Sequence, residues 1–485
     1  MIYIHWLGLL IYTVVIAVAM VSVLMDRRQP AKTMAWMLVL MFMPVVGIIL
    51  YFFFGQNTRK ERIISQKSMD ELTKRTMLGY ADMLKDMDVP ENERTLIYLF
   101  YQQSAALPFF SRETEIYTDG YQFFPALLKA IAQARHHIHL DTYIFADDPL
   151  GRLVADALVE KARQGVEVRL VYDDVGSWKT PNRFFEMLRE NGVEVHAFMP
   201  VKFPAFTSKV NYRNHRKVCV VDGEIGFVGG MNIAQRYVKG VKRRKVSGTV
   251  MQPWRDTHIK VTGTAVRGLQ RAFLVDWYFV DRTLVNGRKY YGEALGDGRA
   301  ADGALMQLVT SNPTSPWPEI EQGYVRILLG ARRYVYMETP YFLPTDPILF
   351  AMRTAALAGV DVRLMLPMHA DAKLVEWASR SYVMETLEAG VKVYLYEPGF
   401  NHSKLLVSDD SLASVGSANI DFRSFENNFE ANMFIYDRPL ALRLKQVYLE
   451  DESHCVLIDD LTDLEHRPFF HRLWESLVRL LSPLL

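Results

Sequence analysis

Asn214-His215-Arg216-Lys217-Val218-Cys219-Val220-Val221-Asp222 and Asn401-His402-Ser403-Lys404-Leu405-Leu406-Val407-Ser408-Asp409 both spell His-x-Lys-x-x-x-x-Asp. Fourteen residues after each His stands a glycine, Gly229 or Gly416, and seventeen after it an asparagine, Asn232 or Asn419. Matching offsets in two copies mark an internal duplication of long period, in which one site is built from two halves.

The surroundings of the cassettes repeat in the same order. In the first half, residues 126–134, 150–164 and 184–191 have helical spacing, and residues 137–145, 166–172 and 193–198 read as apolar strands. In the second, helices at 323–331, 347–358 and 374–389 alternate with strands at 334–342, 360–366 and 391–396. Gly165, Gly359 and Gly390 stand where each helix must turn left-handed into its next strand. The alternation specifies an α/β fold of two mixed-sheet halves, 112–280 and 319–485, joined by a Gly-, Asn- and Asp-rich connecting segment, 281–318.

As a regular strand, each cassette puts His215 and Lys217 (or His402 and Lys404) on one face and its valines or leucines on the other. Asp222 and Asp409, an odd number of residues after the His, then point away, and both lie in turn compositions. They are expected to brace the strand ends rather than to move protons. Return strands at 225–228 and 412–415 deliver Gly229, Gly416, Asn232 and Asn419, whose amides are expected to join the two lysines around one tetraoxy anion. One neutral imidazole can attack phosphorus and form a phosphohistidine, while its protonated partner gives a proton to the leaving alkoxide. Each ring needs an acid on its other nitrogen. Position after the cassettes assigns Asp256 to His215 and Glu430 to His402. A metal site fits poorly, because each His has a Lys for its neighbour, and a charged amine cannot ligate.

The chain of 485 residues is long enough for several core-bearing units. Its 56 Lys and Arg and 55 Asp and Glu nearly cancel, which argues against a surface tuned to nucleic acid. Cys219 and Cys455 make no disulfide framework. Residues 2–25 and 33–54 contain no Asp, Glu, Lys or Arg, and each run can cross a hydrocarbon core of about 30 Å as a helix. Residues 1–56 thus read as a transmembrane helical hairpin, followed by a helical linker at 57–111. Arg27, Arg28 and Lys32 in its turn, against Arg59, Lys60, Arg62 and Lys67 after it, place the globular part on the cytoplasmic side. The basic run 239–245 is either a solvated loop or a contact for anionic headgroups. The amphipathic end, 468–485, either packs on the body or lies on the bilayer.

With these residues in hand, the chain resembles the phospholipase D superfamily, and within it the bacterial cardiolipin synthases of the two-span type. The resemblance implies duplicated phospholipase D-like domains and a candidate catalytic set of His215, Lys217, Asp222, His402, Lys404 and Asp409, with His215 as nucleophile. It also implies a phosphatidyltransferase of the bacterial plasma membrane, which acts on phosphatidylglycerol and other anionic phospholipids to give cardiolipin and glycerol. No cofactor is implied, since exchanging one phosphodiester for another conserves bond energy. Hydrolytic phospholipases D and phosphatidylserine synthases share such cassettes and differ in the acceptor. A nuclease fits the apolar N-terminus and balanced charge poorly. A non-catalytic protein that binds anionic lipid would need neither His.

Overall fold

A computed structural model describes residues 2–25, 30–54, 89–201, 211–245, 248–285, 287–292, 303–458 and 468–483. The first half contributes β1 (Pro108–Tyr117), β2 (His137–Thr142), β3 (Glu167–Asp173), β4 (Glu194–Phe198), β5 (Arg213–Asn214), β6 (Val218–Val221), β7 (Ile225–Gly229), β8 (Val241–Lys245), β9 (Gly248–Gln252) and β10 (His258–Gly263). The second contributes β11 (Ala304–Ser311), β12 (Tyr334–Glu338), β13 (Phe342–Leu343), β14 (Asp361–Pro367), β15 (Lys392–Tyr396), β16 (Leu405–Ser408), β17 (Leu412–Gly416), β18 (Ile420–Asp421), β19 (Asn428–Ile435) and β20 (Cys455–Ile458).

One mixed sheet runs through both halves in the order β20-β15-β14-β12-β16-β17-β19-β11-β1-β10-β7-β6-β2-β3-β4. Apart from β20 it reads the same from either end. β2-β3-β4 and β12-β14-β15 are the parallel units, β6-β7 and β16-β17 the hairpins, and β1 meets β11 antiparallel at the centre. Helices make the parallel crossovers, and local chemistry sets their limits. The helix Pro149–Arg163 starts with Pro149 in its first turn and with the Asp148 carboxylate accepting from the amides of Leu150 and Gly151. It ends just before Gly165, whose φ of +86° makes the left-handed turn into β3.

Two elements fall where the sequence suggested connections. The helix Glu91–Ser104, within the expected linker, buries Leu96, Ile97 and Phe100 in the same core as Ile320, Tyr324 and Phe434 of the second half. β11 lies within the expected connecting segment and is a central strand, paired with β1 and β19. Its apolar run is short and is flanked by the polar residues that dominated the composition there.

The N-terminal helices are Ile2–Met25, Pro30–Phe42 and Pro44–Phe54, packed on one another through Val23, Leu40 and Tyr51. The second expected span is therefore broken, because Pro44 has no amide to donate and its ring crowds the preceding turn. Among the described residues no helix is long and apolar enough to cross a membrane. Lys32 reaches Glu426 at 3.1 Å, with both side chains more than a third exposed.

Most of the run 239–245, from Val241 on, is the first strand of the β8-β9 hairpin. The terminal helix, Phe469–Arg479, packs Trp474 edge-on against Trp377 and buries Val478, while Phe469, Phe470 and Leu480 stay exposed.

Candidate active site

The cassettes are not continuous strands. β5 ends at Asn214 and β6 begins at Val218, so His215, Arg216 and Lys217 lie between them; His402 to Lys404 likewise precede β16. Strand alternation therefore does not govern where His215 and Lys217 point. The cause is pairing across the two halves. β5 runs parallel to β19, and the His215 amide donates to the Phe429 carbonyl at 2.9 Å. In the other half Arg255 bridges to Asn401, and the His402 amide donates to the Arg255 carbonyl at 2.6 Å. Each His-bearing segment leaves its own sheet path to lie on the acid-bearing segment of the opposite half.

This pairing exchanges the expected acids. Glu430, not Asp256, accepts from Nδ1 of His215 at 3.0 Å, and Asp256, not Glu430, pairs with Nδ1 of His402 at 2.6 Å. With Nδ1 engaged in both rings, Nε2 is the nitrogen left to react. Both rings line one cleft of about 310 Å³ with Tyr143, Asn232, Arg236, Trp254, Tyr341, Asn419 and Arg423. A larger cavity of about 530 Å³, walled by Trp377, Val383 and Trp474, holds none of the cassette residues.

The two acids differ in their support. The Ser417 hydroxyl donates to Glu430 Oε2 at 2.5 Å and the Asn428 amide to Oε1 at 3.2 Å. At the matching place in the first half stands Gly230, where a Cβ would overlap the Asp256 carboxylate. Asp256 has the Thr257 amide at 2.8 Å and His402. Burial pushes both carboxylates up. For Glu430 the neighbouring His215 and Lys217 and the Ser417 hydrogen bond outweigh burial and leave it below its ordinary value. Asp256, opposed by Lys404, His258 and Arg255, stays up at about 6.

Burial also disfavours charge on the bases. It brings His215 down to about 4 against the pull of Glu430, and His402 well below its ordinary value, with Lys404 and Lys217 adding to the effect. Lys217 is brought down to about 7 and Lys404 to about 8, again chiefly by burial. Lys217 Nζ donates to the His215 carbonyl at 2.5 Å, and Lys404 Nζ to that of His402. Each ammonium keeps further N–H bonds for an anion.

Asn232 and Asn419 both reach the cleft. The amide of Asn232 donates to Tyr237 Oη and that of Asn419 to Asp421, at 3.1 Å each, which leaves one N–H per side chain. The glycines do a different job from the one expected. Gly229 pairs with His258 in the β7–β10 ladder, where a Cβ would overlap the backbone of Thr257 and His258, and the Gly416 amide donates to the Lys404 carbonyl. A Cβ at Gly416 would overlap Asn432 and Ala431, so these glycines let the hairpins close on the acid-bearing strands.

Asp222 and Asp409 stand at the ends of β6 and β16 with φ of +55° and +49°. Asp222 accepts from the amides of Arg135, His136 and His137, and Asp409 from those of Arg332, Arg333 and Tyr334. They tie each cassette to the start of β2 or β12 and lie apart from the rings. Sequence reasoning missed Ser417, Tyr237, Tyr143 and the stacking role of Trp254. Tyr143 lies edge-on to His215 at 4.9 Å, and Trp254 lies 5.3 Å from His402, centroid to centroid. The one available signal was the departure of Gly416-Ser417 from Gly229-Gly230. Among the described residues no group of three or more His, Cys, Asp and Glu is placed to hold a metal ion.

A family model described as cardiolipin synthase, PLD-like domain, matches residues 127–243 and 324–451, one stretch around each cassette. The chain belongs to the cardiolipin synthase family. A cardiolipin synthase of Alkalihalophilus pseudofirmus is 40% identical over 478 residues, covering 98% of this chain and 93% of that one. The major cardiolipin synthase ClsA of Bacillus subtilis is 38% identical, covering 97% of each. A second model, phospholipase D-nuclease N-terminal, matches residues 14–56. Among solved structures, phosphatidylserine synthase of Haemophilus influenzae superposes with a TM-score of 0.62 at 15% identity, covering 82% of this chain and 100% of that one. That likeness is one of fold alone.

Proposed function

We propose that this member of the cardiolipin synthase family moves a phosphatidyl group from one phosphatidylglycerol to a hydroxyl of a second, giving cardiolipin and glycerol. The observation that carries the reading is one cleft holding a His from each half, each backed by the acid of the other.

The donor phosphate lies between the rings, held by Lys217, Lys404 and the free N–H bonds of Asn232 and Asn419. Neutral His215 attacks phosphorus through Nε2 as the P–O bond to glycerol breaks, and His402 gives its proton to the departing oxygen. The second phosphatidylglycerol then gives its hydroxyl proton to His402 and attacks the phosphohistidine, which frees His215. His215 suits the nucleophilic role because Glu430, braced by Ser417, stays ionised and draws the imidazole proton to Nδ1. His402 suits the proton-transfer role because the Asp256 carboxylate, 2.6 Å from Nδ1, steadies the charge that the ring carries when protonated. The bound phosphate anion favours protonated His402, against the effect of burial.

We infer also that the N-terminal apolar helices hold the protein in the bacterial plasma membrane as a two-span hairpin with the catalytic body cytoplasmic. The charge-free runs 2–25 and 33–54 and the N-terminal family match support this reading. In that arrangement Lys32 and the body lie on opposite sides of the bilayer. The Lys32–Glu426 pair, exposed and worth about 1 kcal/mol or less, then opens on insertion.

Product analysis tests the chemistry. Purified protein in phosphatidylglycerol vesicles yields cardiolipin and glycerol; phosphatidic acid alone would contradict transfer. A cysteine placed at Arg28, labelled from outside intact cells, tests the topology.

A further inference from the structure

The duplication carries one more pair of residues that the chemistry so far does not use. Four residues after each cleft asparagine comes an arginine, in Asn232-Ile233-Ala234-Gln235-Arg236 and in Asn419-Ile420-Asp421-Phe422-Arg423. Both arginines line the catalytic cleft and both are half-buried. The buried arginines nearby are committed to carboxylates: Arg213 to Asp173, Arg216 to Asp276 and Arg255 to Asp451. Arg236 and Arg423 make no ion pair and no side-chain hydrogen bond with the described residues. An unpaired guanidinium at a cleft can donate to an anion that comes within its reach, so what each one faces decides its use.

Their surroundings distinguish them. The Arg236 guanidinium lies over the Trp254 ring, 4.8 Å from its centroid, and that ring lies 5.3 Å from His402. Arg236 of the first half thus stands beside the reactive His of the second. If His402 takes the proton of the incoming hydroxyl, that hydroxyl lies at Nε2. The acceptor's own phosphate, three carbons further along its glycerol, must then lie just beyond the ring. Water has no phosphate to place there, and neither has free glycerol.

Resting on the transferase reading above, we propose that Arg236, held flat by Trp254, binds the phosphodiester of the acceptor lipid and so selects an anionic lipid over water or a neutral alcohol. The donor phosphate remains with the two lysines. In-line attack puts His215 on the face opposite the leaving and incoming oxygens, so Arg423 has no equivalent ligand and serves as the control.

The test is a competition between two acceptors, using the full-length protein in phosphatidylglycerol vesicles that contain radiolabelled glycerol. The phosphohistidine partitions between lipid, giving cardiolipin, and glycerol, giving labelled phosphatidylglycerol. Arg236→Gln lowers the ratio of cardiolipin to labelled lipid by about tenfold or more, the loss expected of a charge-assisted contact, while label incorporation stays within about threefold. Arg236→Lys, which keeps the charge, falls between, and Arg423→Gln leaves the ratio unchanged. An unchanged ratio in Arg236→Gln, an equal fall in both products, or a shift confined to Arg423→Gln overturns the proposal. Absence of both products from the unaltered protein would instead sink the transferase reading, and the acceptor site with it.

Discussion

Glu430 accepts a hydrogen bond from Nδ1 of His215 at 3.0 Å although 215 residues of chain separate them. Asp256 does the same for His402 at 2.6 Å across 146 residues. Neither half of the duplication holds a complete acid–His pair, so the two halves are obliged to work as one catalyst.

The exchange sets which variants share a defect. Glu430→Gln acts with His215→Ala on nucleophilic attack, and Asp256→Asn acts with His402→Ala on protonation of the leaving group. With phosphatidylglycerol each should lose about 10² to 10⁴ in kcat. A phosphatidyl p-nitrophenyl ester needs no general acid. It should restore the first step in Asp256→Asn and His402→Ala and leave Glu430→Gln and His215→Ala inactive. Rescue of Glu430→Gln together with His402→Ala, with Asp256→Asn left inactive, would show that the acids serve their own halves.

Ser417 and Gly230 occupy matching places with opposite demands. Ser417→Ala removes a donor from Glu430 and should lower kcat by about tenfold, the loss of one charge-assisted hydrogen bond. Gly230→Ser puts side-chain atoms against the Asp256 carboxylate, displaces His402 and should cost far more. Similar losses in the two variants would mean that the asymmetry has no bearing on the chemistry.

The lysines set the alkaline side of the pH profile. In the proposed mechanism their charged forms hold the lipid phosphate, and burial places them at about 7 for Lys217 and about 8 for Lys404. As pH rises through those values the ammonium protons leave, and affinity for a non-reacting phosphatidyl ligand, measured by direct binding, falls. On the acid side His215 stays neutral down to about 4. An alkaline limb above pH 9 would show the lysines unshifted.

The motif aspartates answer to stability rather than to chemistry. Replacing Asp222 by Ala strands three backbone amides and leaves a Cβ residue at φ +55°, a loss of about 2–4 kcal/mol. Asp222→Asn is milder, because Asn accepts through one oxygen and tolerates that backbone. Thermal unfolding should fall in that order while kcat per folded molecule changes little. A kcat loss on the scale of His215→Ala would make Asp222 a reacting group.

The parts of this site written in local pattern were legible before the structure. The cassettes, their Gly and Asn offsets and the helix-ending glycines at Gly165, Gly359 and Gly390 all express contacts within a few tens of residues. The pairing of acids was not legible, since Asp256 and Glu430 stand at comparable places after their cassettes and only the β5–β19 and Arg255–Asn401 bridges decide between them. For the same reason His215 and Lys217 escape strand alternation. Ala304–Ser311 was hidden by its flanks, though it forms the centre of the sheet with Pro108–Tyr117.

The most direct test is to trap the intermediate. His402→Ala given the p-nitrophenyl donor labelled at phosphorus should accumulate a phosphohistidine, because no base remains to activate the acceptor. Peptide mapping should find the label on the peptide that contains His215. Label on any other residue, or none under conditions where p-nitrophenol is released, would contradict the account.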